Sequence, residues 1–252
     1  MRPLGVFAAG VGVGALSGLL GIGGGIVLVP LLVFLFHHAQ KQAQATSLAA
    51  ITLVSVAGAV TYGAAGDVRL LPAAFIVAGG LVGTVLGAEL VHRLSERQLR
   101  WMFAALMVVV ALRMALVPAT DGGSAVVGLT GWVALAYGGV GLAMGVLSAL
   151  VGIGGGIVVV PVLVIAFGFS PHEAQGTSLA VMAPVSLLGA WRHARHGYTD
   201  WRAGALLGAG GVLGAPLGAL LALSLPGTGL QRIFAVVLVY SAIQLIRRAR
   251  RP

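Results

Sequence analysis

Residues 14–31 and 145–162 are near copies of one block, GALSGLLGIGGGIVLVPL and GVLSALVGIGGGIVVVPV, identical at 13 of 18 positions at an offset of 131 residues. Each copy holds three consecutive glycines inside an apolar run, where glycine weakens a helix by about 1 kcal/mol per residue relative to alanine. In a membrane protein, helices broken at corresponding points of two halves mark the place where a binding site is built at depth. The duplication therefore constrains both the architecture and the location of any site.

The surroundings of the two blocks identify the solvent as lipid. Hydrophobic residues make up 59% of the chain and charged residues 8%, with a mean hydropathy of +1.05, so a water-soluble surface cannot be assembled. Apolar stretches long enough to cross about 30 Å of hydrocarbon recur along the chain, among them 43–63, 71–91, 101–117, 174–190, 203–223 and 233–246. The net charge of +9 lies mainly in the connections and at the termini, with Arg247, Arg248, Arg250 and Arg251 forming the tail. That placement fits charges that orient a membrane protein, and no nucleic-acid partner is expected. Without cysteine, the chain has no disulfide, thiolate metal site or thiol nucleophile. The apolar N-terminal segment is expected to stay in the mature protein, because residues 14–20 align with 145–151 in mid-chain.

The chain divides into two transmembrane repeats, residues 1–124 and 125–252, at the turn-rich cluster Pro118–Ser124. Matching features continue past the glycine block: Ala43-Gln-Ala-Thr-Ser-Leu48 pairs with Ala174-Gln-Gly-Thr-Ser-Leu179, and Gly79, Gly83 and Gly87 pair with Gly210, Gly214 and Gly218. Glycine at every fourth position leaves a smooth strip on a helix, so these six are assigned to helix–helix contact.

The glycine break admits two topologies. If it only bends one crossing, each half crosses an even number of times and the halves are parallel. If the chain reverses there, each half crosses an odd number of times and the halves are inverted. With a cytoplasmic N-terminus, reversal places twelve basic residues inside and three (Arg69, Arg113, Arg232) outside, against ten and five for a single bent crossing. The positive-inside rule favours inversion, and both topologies put the two termini in the cytoplasm. The expected fold is an all-α polytopic membrane protein of two homologous, inverted repeats. Each repeat combines a Gly-broken helix or re-entrant hairpin with three further transmembrane helices.

The chemistry follows from the break. A helix that starts inside the bilayer exposes N–H groups without intrahelical partners and about half a positive charge. In hydrocarbon those donors must be met by protein, water or ligand. Gly23, Gly24 and Gly25, with Gly154, Gly155 and Gly156, leave the backbone bare for the close approach of a small anion. Gln44, Thr46 and Ser47, with Gln175, Thr177 and Ser178, add a polar wall. Gln44 and Ser47 share a helix face, whereas Thr46 points about 200° away from Gln44. Taken alone, N-capping and interhelical hydrogen bonding would also explain these residues.

Asp67, Glu96, Asp121, Glu173 and Asp200 lie in connections, and Glu89 has Arg93 one turn away. No carboxylate is thus set at the bilayer centre for a cation or proton relay. His193 and His196 could titrate, but next to Arg192 and Arg195 they read as interfacial residues. Gly21–Ile26 fails the dinucleotide-binding pattern at its last position, and His172-Glu173 lacks a second histidine at metalloprotease spacing. No enzyme activity, metal or cofactor is expected.

The paired Gly-x-Gly-Gly-Gly-x-x-x-x-Pro blocks, each followed by Thr-Ser-Leu, resemble the sulfite exporter TauE/SafE family over essentially the whole chain. Gly21, Gly23, Gly24, Gly25, Pro30, Thr46 and Ser47 match the family pattern, as do Gly152, Gly154, Gly155, Gly156, Pro161, Thr177 and Ser178. Gln44 and Gln175 are added on the local argument. The resemblance implies a multi-pass inner-membrane permease whose substrate is sulfite, a sulfonate or a related anion, moved outward by secondary transport or facilitated diffusion. An anion channel and a non-transporting scaffold or partner subunit are the alternatives. The anion, the direction of transport, the coupling ion and the oligomeric state are left open.

Overall fold

A computed structural model of the chain describes residues 3–90, 108, 112 and 131–250. Its elements are α1 (Pro3–Leu20), α2 (Gly25–Phe34), α3 (Gln40–Ala64), α4 (Leu70–Leu90), α5 (Gly131–Val151), α6 (Gly156–Phe167), α7 (Pro171–Ala194), α8 (Trp201–Ser224) and α9 (Gly227–Arg250). The expected linker at 118–124, the apolar stretch 101–117 apart from residues 108 and 112, and the basic residues Arg93, Arg97, Arg100 and Arg113 lie outside the described residues. The 131-residue offset carries over into structure: α2, α3 and α4 start where α6, α7 and α8 start, less 131.

Length and composition separate the helices into classes. Helices α3, α4, α5 and α8 are long and apolar enough to cross a membrane, whereas α2 and α6, of 10 and 12 residues, are too short to cross alone. Helix α7 has 24 residues but carries Glu173, Gln175, Thr177 and Ser178, all buried within the bundle. A helix shielded from lipid on most sides can hold such residues, provided that other helices satisfy them.

Glycine sets the distances between helices. Along α1 and α8, Gly10, Gly14 and Gly18 lie against the backbone of Leu207, Gly211 and Ala215. Along α4 and α5, Gly141 and Gly145 lie against the backbone of Ile76 and Gly80. Residue numbers rise together in both pairs, so each pair is parallel and joins one helix from each half. The six glycines assigned to helix contact do pack this way. Gly79, Gly83 and Gly87 meet Gly138, Leu142 and Val146, and Gly210, Gly214 and Gly218 meet Phe7, Val11 and Ala15.

Between these pairs lie α3 and α7. Leu48 meets Gly189, Gly58 meets Leu179, and Tyr62 meets Gln175. Numbers that rise on one helix fall on the other, so these two corresponding helices run antiparallel. Helix α2 packs on α3, and α6 packs on α7.

Candidate functional site

The candidate site begins where the chain turns back. Had α1 continued straight through the glycines, Gly24 would stand about 16 Å beyond Val13. Instead, a Cβ built at Gly24 would lie 2.5 Å from Val13 Cγ1 and 3.5 Å from Ser17 Cβ. The reversal uses left-handed backbone at the N-caps Gly24 (φ 72°) and Gly155 (φ 79°), which residues with a Cβ adopt only at a cost. Neither N-cap supplies a side-chain hydrogen bond to its helix.

The two reversals meet. A Cβ at Gly25 would lie 2.5 Å from Ile153 Cα, and one at Gly156 would lie 2.8 Å from Ile22 Cα. Each loop thus rests on the first residue of the helix that follows the other loop. The first bonds inside α2 run from Val27 and Leu28 N–H to the Gly24 carbonyl, and α6 repeats this with Val158, Val159 and Gly155. Among the described residues, no protein acceptor serves the N–H groups of Gly23, Gly24 and Gly25 or of Gly154, Gly155 and Gly156. Donors of two short helices therefore converge where the halves touch.

The serines of the repeated Thr-Ser pairs hold these loops, and the threonines hold the connections before α4 and α8, each across the boundary between halves. Ser47 Oγ lies 2.6 Å from the Gly152 carbonyl, and Ser178 Oγ lies 2.9 Å from the Gly21 carbonyl. Thr177 Oγ1 accepts from Arg69 N–H at 3.0 Å, and Thr46 Oγ1 accepts from Asp200 N–H at 3.1 Å. Arg69 and Asp200 are themselves equivalent under the offset. Thr46 and Ser47 thus point in different directions, as their helical spacing requires. Neither pair caps a helix: α3 starts after Ala39, and α7 is capped by Ser170 in a reciprocal bond with Glu173.

The glutamines sit where the first glycine of each loop presses on the opposite half. A Cβ at Gly21 would lie 2.6 Å from Gln175 Cβ, and one at Gly152 would lie 2.7 Å from Gln44 Cα. Gln175 Oε1 lies 2.6 Å from Tyr62 Oη, which also reaches the Gly18 carbonyl at 2.9 Å. The phenol has a single O–H, so both contacts are satisfied when Tyr62 donates to the Gly18 carbonyl and the Gln175 amide turns its nitrogen toward Tyr62 Oη. His193, the counterpart of Tyr62, lies 3.4 Å from the carbonyl of Ala149, the counterpart of Gly18.

Charged contacts lie at the two ends of the α3–α7 pair. At one end Arg69 is paired with Glu173, with Nε 2.9 Å from Oε1. Burial lifts the neighbouring Asp67 carboxyl above its ordinary range, with His172 and Arg69 pulling the other way. At the other end His38 Nε2 lies 3.4 Å from Asp200 Oδ2. Between these ends the loops are flanked by apolar side chains. Met182 Cε faces both Gly23 and Gly154, and Ile51 Cγ2 lies behind it on the same two glycines. Ile51 and Met182 are equivalent under the offset and both are fully buried. Sequence reasoning did not single them out, because an apolar residue in an apolar helix carries no local signal; only the offset pairs them.

Comparisons with known proteins agree with this architecture. The sulfite exporter TauE/SafE family matches residues 1–114 and 137–252. A probable membrane transporter protein of Xylella fastidiosa is 29% identical over 244 residues, covering 94% of this chain and 92% of its own length. The probable membrane transporter protein YunE of Bacillus subtilis is 27% identical over 263 residues, covering 92% and 93%. A shorter stretch, 113 residues at 34% identity, matches MamO of Magnetospirillum gryphiswaldense, a probable membrane transporter protein, over 18% of that protein. No solved structure matches the chain. With a duplicated break, apolar crossing helices and a family match over both halves, the chain belongs to the sulfite exporter TauE/SafE family of membrane transporters.

Proposed function

We propose that this protein carries a small sulfur-containing anion, such as sulfite or an organosulfonate, outward across the inner membrane. The mode is secondary transport or facilitated diffusion. The observation that carries this reading is the meeting of two glycine loops whose N–H donors have no protein acceptor among the described residues. Gly23–Gly25 and Gly154–Gly156 form the bare backbone that faces the anion. Ser47 and Ser178 hold the loops by their carbonyls, while Gln44, Thr46, Gln175 and Thr177 complete the wall and tie each half to the other.

The two halves are inverted repeats in the membrane. Support comes from the antiparallel run of α3 and α7, the reversal at Gly24, and the excess of basic residues on one side. In this orientation both termini and the His38–Asp200 contact lie on the cytoplasmic side, and Arg69–Glu173 lies outside. A cysteine-free chain makes the orientation easy to test. In Lys41→Cys and Ala65→Cys proteins, an impermeant maleimide is expected to label Cys at 41 only from the cytoplasm and at 65 only from outside. The opposite pattern favours a single bent crossing.

Ile51 and Met182, lying between the loops, favour a carrier with an occluded centre over an open channel. Proteoliposomes loaded with sulfite, thiosulfate, sulfoacetate or sulfate, with and without imposed proton and sodium gradients, test the substrate class. Saturable flux of at least one of these anions is expected. Single-channel currents would replace the carrier by a channel, and folded protein that moves none of the four would remove the anion reading.

A further inference from the structure

Among the described residues, three fully buried serine hydroxyls have no hydrogen-bond partner: Ser17 on α1, Ser55 on α3 and Ser186 on α7, each with zero relative exposure. A helical hydroxyl ordinarily satisfies itself by donating to the carbonyl one turn back. Thr52, Thr61 and Thr84 do so here, at 2.9, 3.0 and 2.8 Å. The three serines do not, and a buried unpartnered hydroxyl calls for a physical reason.

Their placement supplies one. Ser55 and Ser186 are equivalent under the 131-residue offset, so the same polar group recurs at the same point of two apolar helices. Each lies one turn beyond Ile51 or Met182, the side chains that touch both glycine loops. The register between α3 and α7 runs from Leu48–Gly189 to Tyr62–Gln175, which sets Ser55 level with Met182 and Ser186 level with Ile51. Ser17 lies against Gly24, the N-cap of α2, which offers that helix no side-chain hydrogen bond. Ser148, its counterpart under the offset, is also buried. Ser55 and Ser186 are thus within a turn of the flexible Met182 side chain that fills the space between the loops, and Ser17 adjoins one of those loops at Gly24.

We propose that Ser17, Ser55 and Ser186 are substrate-contacting hydroxyls that donate to the oxygens of a small oxoanion seated between the glycine loops, with Met182 withdrawing as the anion enters. This rests on the anion reading above and names the side chains that do the binding. Neutral donors suit transport: they stabilise a desolvated anion, yet without a cation beside them they let it leave.

The test uses full-length protein in proteoliposomes, with sulfite and sulfoacetate as probes, and compares wild type with S17A, S55A, S186A and the triple variant. Removing an unpartnered hydroxyl should leave the melting temperature unchanged or raise it. Each single variant is expected to raise the KM for flux roughly tenfold or more, as loss of a hydrogen bond to a charged group does. Ser186→Thr, which returns a hydroxyl, should recover part of the loss. Unchanged KM in the triple variant, with active wild type, overturns the serine assignment alone. A lowered melting temperature with unchanged KM in the single variants overturns it too, by showing a structural role. Wild-type protein that moves neither probe overturns the anion reading beneath it.

Discussion

A Gly18→Leu substitution is expected to prevent assembly of the bundle. A Cβ at this position would fall on the Ala215 carbonyl oxygen and 2.8 Å from Ala219 N, and both are backbone atoms of a packed helix. Helices in lipid are not pressed together by water, so α1 and α8 are held by close van der Waals approach along their glycine strips. A leucine side chain in that seam would force the helices apart along their length. Overpacking costs about 1–3 kcal/mol where side chains can yield, and where backbone must yield the cost lies at or above the top of that range. Gly218→Leu, which would drive against Ala15, is expected to behave in the same way. Gly12→Leu and Gly139→Leu provide the contrast, since neither position has an atom within 4 Å of a built Cβ. Those two should fold normally, and could gain up to about 1 kcal/mol from better helix propensity. Size-exclusion profiles and thermal unfolding in detergent distinguish the two groups. Equal behaviour of Gly18→Leu and Gly12→Leu would show that the glycine seam does not set the helix spacing.

The parts of the fold that repeat were readable from sequence, and the parts that depend on which copy meets which were not. The duplicated block revealed both breaks, because three glycines in an apolar run have no helical advantage, and the offset showed that they matter as a pair. The four-residue spacing of Gly79, Gly83 and Gly87 was enough to predict a packing strip, since helical periodicity is local. The partner of that strip was not local: α4 packs on α5 and α1 on α8, each across the boundary between halves. The same limit applied to Ser47 and Ser178. Their spacing placed Ser47 on one face with Gln44 and Ser178 on one face with Gln175, but nothing near them in sequence indicates that each serine reaches the glycine loop of the opposite half. Ser55 and Ser186 carried a usable signal, a hydroxyl conserved between the two copies inside apolar helices, which becomes informative only when both are seen to lack partners.

The second large effect is expected at the loops themselves. Alanine at Gly23 or Gly154 would place a methyl group against Met182 Cε, with Ile51 Cγ2 close by. Met182 is the end of a flexible side chain and can move, so the protein should still fold. The left-handed backbone at these two glycines (φ 72° and 82°) costs alanine about 1–2 kcal/mol per site. Both methyl groups would stand between the loops and fill the space that the anion is assigned once Met182 withdraws. The double variant G23A/G154A is therefore expected to remain monodisperse and to lose transport, which separates this effect from the assembly failure of Gly18→Leu. The most direct measurement is the initial rate of sulfite uptake into proteoliposomes holding equal amounts of folded wild-type and G23A/G154A protein. Saturable uptake by the wild type and a rate lower by roughly tenfold or more in the variant are predicted. Equal, saturable uptake by the two proteins would contradict the assignment of the paired glycine loops as the site of transport.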